Sequence, residues 1–317
     1  MIVLVVTRAW DTTADLVIRA LDSFPVAVTR INTEDFPTRA AINFTAGDSG
    51  ISAFLDTGFG RAVATASVLA VYFRRPDPPR IDDAVTDPAW RVFAQNESRS
   101  ALSGFLRLID HARWVNHPTM IAEAEHKLLQ LAHARRAGLR IPRTAVTNNP
   151  EAARAFVTML RTTVVAKTIC SPLVTLTPPQ FVYTRRLSGS DLQQLDAVAL
   201  SPCILQEWIP KKFEVRVVVV GDCAYAVAID SGDLDDWRIR DVQQLPHSYH
   251  ELPDNISTKC VSLVHDFGLL YGALDFIVTP SEEYVFLELN PNGEWGWLTE
   301  TLGDTIQNAL ARQLATQ

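Results

Sequence analysis

The start of the chain alternates between extended and helical hydrophobic patterns. Ile2–Val6 is a short run of apolar, mostly β-branched residues, which is typical of a buried strand. Apolar residues recur at helical spacing across Thr12–Phe24, and Val26–Ile31 is a second strand-like run. A strand, a helix and another strand in this order predict a parallel, Rossmann-like sheet. The turn after the first strand, TRAWDTT, contains no glycine, so we expect no dinucleotide site there.

The rest of the first third continues this pattern and ends near residue 116. Ala41–Phe44 and Gly50–Leu55 predict a hairpin, and Val68–Phe73 predicts another buried strand. Pro88–Asp110 has the pattern of a helix, and Trp114–Asn116 that of a short strand or turn. We therefore expect a domain boundary near Asn116–Pro118.

The remainder of the chain predicts an α+β arrangement built on antiparallel strands. The predicted helices are Ile121–Ala137 after a start at Pro118, Pro150–Arg161, Gly189–Leu200, Asn255–Leu270 and Thr301–Leu314. The predicted strands are Arg143–Thr147, Val164–Lys167, Phe181–Tyr183, Cys203–Ile209, Glu214–Val220, Ala224–Asp230, Gly272–Val278 and Tyr284–Leu289. We expect the strands at 203–209, 214–220 and 224–230 to belong to one sheet.

The composition argues against several classes of function. The chain has 29 Lys+Arg against 36 Asp+Glu, a net charge of −7, and so lacks the basic surface of a non-specific nucleic-acid binder. It has no apolar run of the roughly 20 residues that cross a membrane, and no signal-peptide pattern. Its four cysteines form no C-x-x-C pair, and we expect reduced, mostly buried thiols. These observations favour a cytoplasmic chain without nucleic-acid or membrane partners.

Three oxygen-bearing side chains near the C-terminus predict a metal site. Asp275 lies in one predicted strand, and Glu288 and Asn290 lie two residues apart in the next, so they share a face. On this reasoning Leu287 and Leu289 point the other way, into the core. Carboxylate and amide oxygens suit Mg²⁺, which substrate phosphates commonly complete. The alternative is an amphipathic hairpin whose acidic residues merely face solvent.

Three cations precede this hairpin in unusual positions. Lys127 lies on a predicted helix, Lys167 ends the apolar strand TVVAK, and Arg216 interrupts the apolar strand EVRVVVVG. Burying a lone charge costs several kcal/mol, so Arg216 should be paired with an anion. Cations on separate elements can neutralise a triphosphate. The chain has only five lysines (127, 167, 211, 212 and 259), so a lysine at a motif position is less easily an accident. Each cation alone is equally consistent with a surface residue or a structural ion pair.

The segment ILQEWIPKKFEVRV lies between these cations and the hairpin. Gln206, Glu207, Trp208 and Ile209 form an extended stretch whose backbone can pair with the edge of adenine. Glu214 follows Glu207 by seven residues, a spacing suited to holding a ribose hydroxyl. Packing in the core is the alternative role for Trp208.

The order of these features resembles that in the ATP-grasp superfamily, over residues 117–317. The chain contains no Walker A motif, so a P-loop is excluded. Further segments resemble MvdD/MvdC-like graspetide synthetases over almost the whole chain, namely RINTEDFP, YFRRP, WVNHP, QLAHARRAGLRIPRTAVTNNP and NPNGEWGW. The resemblance implies a Rossmann-like pre-ATP-grasp domain at 1–116 and a two-lobed ATP-grasp region at 117–317. Within that region, 117–209 would form the central lobe and 210–317 the C-terminal lobe with the metal site.

The resemblance also implies an activity and partners. Such an enzyme uses ATP and Mg²⁺ to phosphorylate an Asp or Glu side chain of a ribosomal precursor peptide. A Ser or Thr hydroxyl, or a Lys amine, of the same peptide then attacks and closes a macrocycle. The leader of the peptide would dock near the central sheet, and the enzyme would be a homodimer. The alternatives are another ATP-grasp carboxylate–amine ligase, of RimK-like type, and a non-catalytic peptide-binding scaffold.

The resemblance assigns roles to individual residues. Lys127 and Lys167 would bind phosphates, Glu207 and Ile209 would present backbone to adenine, and Glu214 would hold the ribose. Arg216 would stabilise the transferring phosphoryl group, and Arg238 of the Asp236–Trp237–Arg238 segment would face the substrate carboxylate. Mg²⁺ would bind Asp275, Glu288 and Asn290. The segment TICSPLVTLTP after Lys167 departs from the family pattern because it lacks a long glycine-rich loop.

Overall fold

The computed structural model describes residues 1–48, 50–58, 60, 62–170, 173–174, 176 and 180–316. The chain forms two compact units. The first unit comprises residues 1–119, 269–271 and 304–317, and the second comprises residues 120–268 and 272–303. Part of the TICSPLVTLTP segment, at 171–172, 175 and 177–178, lies outside the described residues.

The first unit is built on a parallel four-stranded sheet, as the opening pattern predicts. Its strands are β1 (Ile2–Thr7), β2 (Ala27–Asn32), β6 (Val68–Phe73) and β7 (Arg113–Val115), in the order β2-β1-β6-β7. The hairpin is confirmed as β3 (Ala41–Gly47) and β4 (Gly50–Asp56), which a short β5 (Ala62–Ala64) extends to three strands.

Three helices accompany this sheet: α1 (Thr12–Leu21), α2 (Pro88–Arg107) and α9 (Thr305–Ala315). The core on one side joins the sheet residues Leu4 and Val71 to Leu102 and Phe105 of α2. The helix α9 packs on α1, β6 and β7, so the end of the chain completes the unit in which the chain begins.

An ion pair occupies the turn where Rossmann-like sheets usually bind their ligands. Asp11 begins α1, accepting the Ala14 N–H at 3.0 Å and the Thr7 hydroxyl at 2.8 Å. Its Oδ2 lies 3.2 Å from Nε of Arg74, and both side chains are buried. Burial by itself would raise the pKa of Asp11, but the Arg74 charge and the hydrogen bonds hold it below its usual value. The predicted lack of a dinucleotide loop thus coincides with a buried structural pair.

Asn116 explains why three distant residues belong to the first unit. Its side chain donates to the Tyr271 carbonyl at 2.8 Å and accepts the N–H groups of Leu270 and Tyr271 at 2.9 and 3.0 Å. The amide of Asn116 thus takes the place of a neighbouring strand at Leu270 and Tyr271, where β17 begins.

The second unit contains two antiparallel sheets. The four-stranded sheet consists of β8 (Thr144–Thr147), β9 (Val164–Lys167), β12 (Arg185–Arg186) and β13 (Cys203–Glu207), in the order β12-β9-β13-β8. The five-stranded sheet consists of β14 (Phe213–Val220), β15 (Cys223–Ile229), β16 (His247–Tyr249), β17 (Tyr271–Val278) and β18 (Tyr284–Asn290), in the order β16-β15-β14-β17-β18. A short pair, β10 (Leu173–Val174) and β11 (Gln180–Phe181), lies between β9 and β12 in the chain.

One predicted sheet is therefore wrong. The strand at 203–207 pairs with β8 and β9, whereas β14 and β15 belong to the other sheet. Residues 208–212, which include Pro210, separate the two, so the chain passes from one sheet to the other at the segment WIPKK. The local pattern contains no information about which strands pair.

The helices of the second unit are α3 (Pro118–Ala124), α4 (Lys127–Arg136), α5 (Pro150–Leu160), α6 (Gly189–Gln193), α7 (Asp254–Asp266) and α8 (Thr299–Leu302). Three predicted helices are wrong in extent. Residues 121–137 form two helices, residues 195–200 are a 3₁₀ helix after α6, and residues 299–315 form α8 and α9. Gly303, with φ of +56°, ends α8.

Gln130 accounts for the break between α3 and α4. Its amide donates to the carbonyls of Ala124 and Leu289, each at 2.7 Å, and its oxygen accepts the Leu289 N–H at 2.9 Å. The Ala124 carbonyl is thereby satisfied without a continuing helix. Lys127 becomes the first residue of α4, on the side of strand β18. Gly138, with φ of +77°, follows α4 at the predicted helix end.

Two further findings concern expectations from composition. Among the described residues, no helix is long and apolar enough to cross a membrane. Of the cysteines, Cys260 is buried and Cys203 half-buried, but Cys170 and Cys223 are exposed, so the prediction of mostly buried thiols is wrong for two of the four.

Candidate active site

The hairpin of β17 and β18 places two carboxylates side by side. Asp275 pairs directly with Glu288, and Ala273 pairs with Asn290, so the three oxygen-bearing residues lie at one end of the hairpin. The register then shifts, because the next pair is Phe276 with Phe286. Leu287 is the extra residue of this bulge.

The bulge corrects one prediction from strand alternation. Leu289 is buried as expected, but Leu287 lines the same cavity as Glu288 instead of pointing into the core. Phe276 and Phe286 are both fully buried. The bulge therefore accommodates the extra residue, so that the apolar pair and the acidic pair still follow one another on opposite faces of the hairpin.

Two cations contact the carboxylate of Glu288. Nζ of Lys127 lies 3.5 Å from Oε2, and Nη1 of Arg238 donates to Oε1 at 3.1 Å. Burial by itself would raise the pKa of Glu288, but Arg238 and Lys127 lower it to about 2. Glu288 is therefore an anion at neutral pH.

Asp275 has a different environment. Nη1 of Arg216 donates to Asp275 at 3.2 Å, so Asp275 is the anion that accompanies the charge inside the apolar strand β14. The Arg216 guanidinium also lies over the ring of Trp237, 5.5 Å from its centroid. Burial raises the pKa of Asp275 to about 6, with Arg216 opposing the rise and Glu288 adding to it.

Arg238 and Asp236 form a side-on pair in a short 3₁₀ segment after β15. Nε and Nη2 of Arg238 each donate to Asp236 at 2.8 Å, and Asp236 also accepts the Thr184 N–H at 3.2 Å. Asp236 is buried, whereas 39% of the Arg238 side chain is exposed. The carboxylate of Asp236 thus orients the guanidinium toward Glu288 and leaves part of it accessible.

Lys167 lies at the end of β9 and lines the cavity that holds Asp275 and Glu288. Its pKa is lowered, first by burial and then by Lys127 and Arg238, although Glu288 opposes this. Lys127 donates to the carbonyl of Thr168, the next residue, at 3.1 Å. Lys127 therefore contacts Glu288 from α4, and Lys167 lines the cavity of the same carboxylate from β9.

An adjoining cavity extends along the end of the four-stranded sheet. The predicted nucleotide residues line it, namely Gln206, Glu207, Trp208, Ile209 and Glu214. It shares Lys167, Glu214 and Leu287 with the cavity of Asp275 and Glu288. All of the sequence-predicted site residues except Lys127, Arg216 and Asn290 line one of these two cavities, and Lys127 and Arg216 contact a carboxylate that does.

The end of β13 departs from regular antiparallel pairing at the backbone carbonyl of Glu207. The Glu207 N–H donates to the Arg143 carbonyl at 2.9 Å, but the Arg143 N–H donates back to Oε2 of the Glu207 side chain at 3.3 Å. In a regular antiparallel pair that N–H would bond to the Glu207 carbonyl. The Trp208 N–H donates to Thr163, and the guanidinium of Arg186 lies over the indole at 5.4 Å, so Trp208 is a wall of the cleft instead of a core residue.

The donor set fits a hard cation better than a zinc-type ion. The described residues hold no cluster of three or more His, Cys, Asp or Glu suited to a metal. The hairpin offers two adjacent carboxylates and the exposed amide of Asn290, all oxygen donors. Mg²⁺ is typically held by one or two carboxylates and completed by phosphate oxygens and water.

The prediction from sequence missed residues that contact the site. Lys211 donates to Glu214 at 2.7 Å, Ser231 donates to the same carboxylate at 2.6 Å, and Arg143 pairs with Glu207. The scarcity of lysine was the one signal for Lys211, whereas nothing in the local pattern singles out the other two.

Known proteins resemble this chain in sequence and in fold. The family model of the MvdD pre-ATP grasp domain matches residues 2–122. No curated protein sequence matches the chain significantly.

Three solved structures resemble the whole chain. The macrocyclase MdnC from Microcystis aeruginosa MRC, bound with its precursor peptide MdnA, is 32% identical with a TM-score of 0.88, and the match covers 100% of both chains. A RiPP-associated ATP-grasp ligase from Chryseobacterium gregarium, in complex with ADP and a leader and core peptide, is 30% identical with a TM-score of 0.91, covering 99% of this chain and 96% of the other.

The macrocyclase MdnB from Microcystis aeruginosa MRC is 32% identical with a TM-score of 0.83, covering 100% of this chain and 99% of the other. Identity at this level over essentially the full length shows common family membership. The chain belongs to the family of RiPP-associated ATP-grasp ligases that includes the macrocyclases MdnC and MdnB.

Proposed function

We propose that this protein is an ATP-dependent macrocyclase of a ribosomal precursor peptide. It phosphorylates Asp or Glu side chains of the peptide and joins them to Ser or Thr hydroxyls, or Lys amines, of the same peptide. One observation carries the proposal: Asp275 and Glu288, adjacent on paired strands, are contacted by cations from three separate elements beside a cleft with an extended backbone wall. The full-length similarity to two macrocyclases supports the same conclusion.

Lys127 and Lys167 are assigned to the ATP phosphates. Lys127 lies 3.5 Å from Glu288, and Lys167 lines the same cavity as Glu288, so a phosphate bound in that cavity would be near both ammonium groups. The pKa of Lys167 is lowered first by burial and then by the neighbouring cations, and a bound anion would favour its charged form.

The base and ribose are assigned to the adjoining cavity. The adenine edge would pair with the backbone of Glu207 and Ile209, next to the Glu207 carbonyl that the Arg143 N–H does not take. Gln206 and Trp208 line the same wall, and Glu214 would accept the ribose hydroxyls.

Arg216 and Arg238 are assigned to different anions. Nε of Arg216 is buried without a hydrogen-bond partner among the described residues, so it has a donor to offer a transferring phosphoryl group. Arg238 is partly exposed and held by Asp236, which suits it to orient the carboxylate of the peptide.

Asp275, Glu288 and Asn290 would hold Mg²⁺, which supplies charge neutralisation to the phosphoryl group when it is bound. At neutral pH both carboxylates are largely ionised, since the pKa of Asp275 is about 6 and that of Glu288 about 2. Arg216 and Arg238 already contact these two carboxylates, so the cations and the metal ligands form one network.

The chemistry follows from the poor reactivity of a carboxylate. An oxygen of the peptide carboxylate attacks the γ-phosphorus of ATP, and ADP leaves. The hydroxyl or amine then attacks the acyl carbon, loses its proton, and expels inorganic phosphate. Enclosure protects the acyl phosphate from water, and the presence of both groups on one peptide raises their effective concentration. The peptide loses one water for each link.

The precursor peptide is proposed to bind with both leader and core. MdnC is described with its precursor peptide, and the Chryseobacterium ligase with a leader and a core peptide. We assign residues 1–116 to the pre-ATP-grasp domain, and 117–209 and 210–317 to the two lobes of the ATP-grasp region, of which the last helix, α9, packs back on the sheet of the first unit. A reaction that consumes ATP and a newly made peptide places the enzyme in the cytoplasm.

A homodimer is proposed from an exposed apolar patch in the first unit. Trp90 and Phe93 of α2 stack edge to face at 5.7 Å, and both are exposed. The hairpin residues Phe44 and Ile51 are also exposed, and α2 packs against β3. Contiguous apolar surface of this kind commonly marks a protein interface.

The decisive experiment incubates the protein with ATP, Mg²⁺ and the peptide encoded beside its gene. Mass spectrometry should show loss of one water per link and release of ADP in equal amount. Addition of an amino acid to the peptide would instead identify a ligase of the RimK-like type. Peptide binding without ADP release would identify a non-catalytic scaffold.

A further inference from the structure

Lys211 lies between the two sheets of the second unit, just before β14. Its ammonium group donates to Oε1 of Glu214 at 2.7 Å, to Oγ of Ser231 at 2.6 Å and to the carbonyl of Leu234. Only 11% of the side chain is exposed. An ammonium group has three donors, and all three have acceptors here, which is what a buried charge requires.

The three acceptors belong to two functional parts. Glu214 is the carboxylate assigned to the ribose and lines both cavities. Ser231 and Leu234 belong to the loop at 230–240 between β15 and β16, which also carries Asp236 and Arg238. The side chain of Lys211 therefore joins Glu214 to the loop that carries Arg238.

The loop is also anchored on its other side. Asp236 accepts the Thr184 N–H, and Asp235 accepts the Arg186 N–H at 2.9 Å and contacts its guanidinium. These contacts hold the loop against β12 of the four-stranded sheet. Lys211, together with the direct hydrogen bond of Ser231 to Glu214 at 2.6 Å, holds it at the start of the five-stranded sheet, so the position of Arg238 depends on both anchors.

The neighbouring Lys212 has none of these properties. It pairs with Glu282 at the surface, 52% of its side chain is exposed, and its ammonium lies 5.9 Å from the ring centroid of Phe213. The two adjacent lysines have the same chemistry and differ in what they contact.

We propose that Lys211 is a positioning residue that fixes Glu214 and the 230–240 loop in one arrangement. Lys211 lines the cavity assigned to the base and ribose, but its three donors are used by protein acceptors, so it acts through Glu214 and the loop. The roles of Glu214 and Arg238 in this inference rest on the proposed function. The clamp, meaning the attachment of the loop to Lys211, is argued from the hydrogen bonds alone and does not depend on that function.

The test compares Lys211→Met with Lys212→Met in the full-length protein. We expect Lys211→Met to weaken ADP–Mg²⁺ binding about tenfold, because Glu214 loses a charge-assisted hydrogen bond. Its kcat should fall by a similar factor, while the KM for the peptide stays within about twofold. Lys212→Met should match wild type in all three quantities. A uniform change in every constant would indicate a merely structural role and overturn the proposal.

Hydrogen exchange of the nucleotide-free protein provides a readout that does not depend on the function. Amides at 231–238 should exchange faster in Lys211→Met than in Lys212→Met, since the loop opens more often. Equal exchange would overturn the clamp even if ATP turnover is seen in wild type. Faster exchange in a protein that turns over no ATP would keep the clamp and overturn the proposed function.

A second pair of variants guards against misfolding caused by an unpaired carboxylate. Glu214→Gln and the double variant Lys211→Met/Glu214→Gln both lack the carboxylate charge and differ only at Lys211. The double variant should show the faster loop exchange and the lower kcat of the two. No difference between them would mean that Lys211 only balances the charge of Glu214.

Discussion

Replacing Arg238 with alanine should separate catalysis from nucleotide binding. The change removes two hydrogen bonds of 2.8 Å to Asp236 and one of 3.1 Å to Glu288. On the proposed assignment it also removes the group that orients the peptide carboxylate. On the same assignment the phosphates of the nucleotide are bound by other residues, so ADP affinity should survive.

The cost in stability can be bounded from the same contacts. Breaking a buried ion pair costs about 3–5 kcal/mol. Here 39% of the Arg238 side chain is exposed, and Asp236 keeps bonds from the N–H groups of Thr184 and of residue 238 itself. Solvent screening and the remaining bonds reduce the expected loss in the free energy of unfolding to about 1–2 kcal/mol. The variant should therefore stay folded at ambient temperature, which a urea titration checks.

The loss in activity should be larger. Removing one preorganised donor from a charged transition state typically lowers kcat about 10²–10³-fold. Arg238→Lys keeps the charge but loses the planar fork that Asp236 holds, so it should recover little of the activity. We expect the dissociation constant of ADP–Mg²⁺ to stay within about threefold of wild type, measured by calorimetry.

Arg216→Ala is the matched comparison, because it removes the guanidinium assigned to the transferring phosphoryl group and should weaken binding of a non-hydrolysable ATP analogue, which carries the γ-phosphoryl group that ADP lacks. If Arg238→Ala weakens binding of that analogue as much as Arg216→Ala does, with peptide binding unchanged, the division of roles is refuted. If neither variant affects product formation, the site itself is assigned wrongly.

Three further predictions address the metal, the assembly and the thiols. Glu288→Gln and Asn290→Ala should each lower turnover at least about 100-fold with an unchanged circular dichroism spectrum, because they remove oxygen ligands rather than core packing. If either variant dehydrates the peptide at the normal rate, that residue is not a metal ligand. Trp90→Asp should convert a dimer to a monomer in light scattering, whereas Leu200→Asp, at an apolar position elsewhere that is 89% exposed, should not. A wild-type protein that is monomeric at micromolar concentration contradicts the dimer. Burial raises the pKa of Cys260 to about 12, so its thiol stays protonated at pH 8. Iodoacetamide should therefore label the exposed cysteines of the native protein and spare Cys260, and peptide mapping that finds Cys260 labelled at a similar rate contradicts this.

The sequence was informative where a charge contradicted its surroundings. Arg216 stands inside an apolar strand, and the structure gives it Asp275 at 3.2 Å as a partner. Lys167 ends another apolar strand and lines the cavity of Glu288. Such residues can be found without a structure because burial of an unpaired charge is too costly to be incidental.

Other features depend on contacts between distant residues and could not be predicted. The break before Lys127 has no proline or glycine to announce it and follows from hydrogen bonds of Gln130 to Leu289. Strands β13 (203–207) and β14 likewise belong to different sheets, although both read as strand-like runs in the sequence. Lys211 lies in the segment between β13 and β14, where sequence alone cannot distinguish it from its exposed neighbour Lys212.

The bulge at Leu287 adds an apolar side chain to the site without changing how the two strands of the hairpin pair. Deleting Leu287 would make Phe286 the direct neighbour of Glu288, so the pairs Asp275–Glu288 and Phe276–Phe286 would follow one another in a regular ladder and would still occupy opposite faces. The two carboxylates would keep their places, whereas both cavities would lose the leucine that lines them. A relative that is one residue shorter here would therefore retain the acidic pair and differ in the apolar wall beside it.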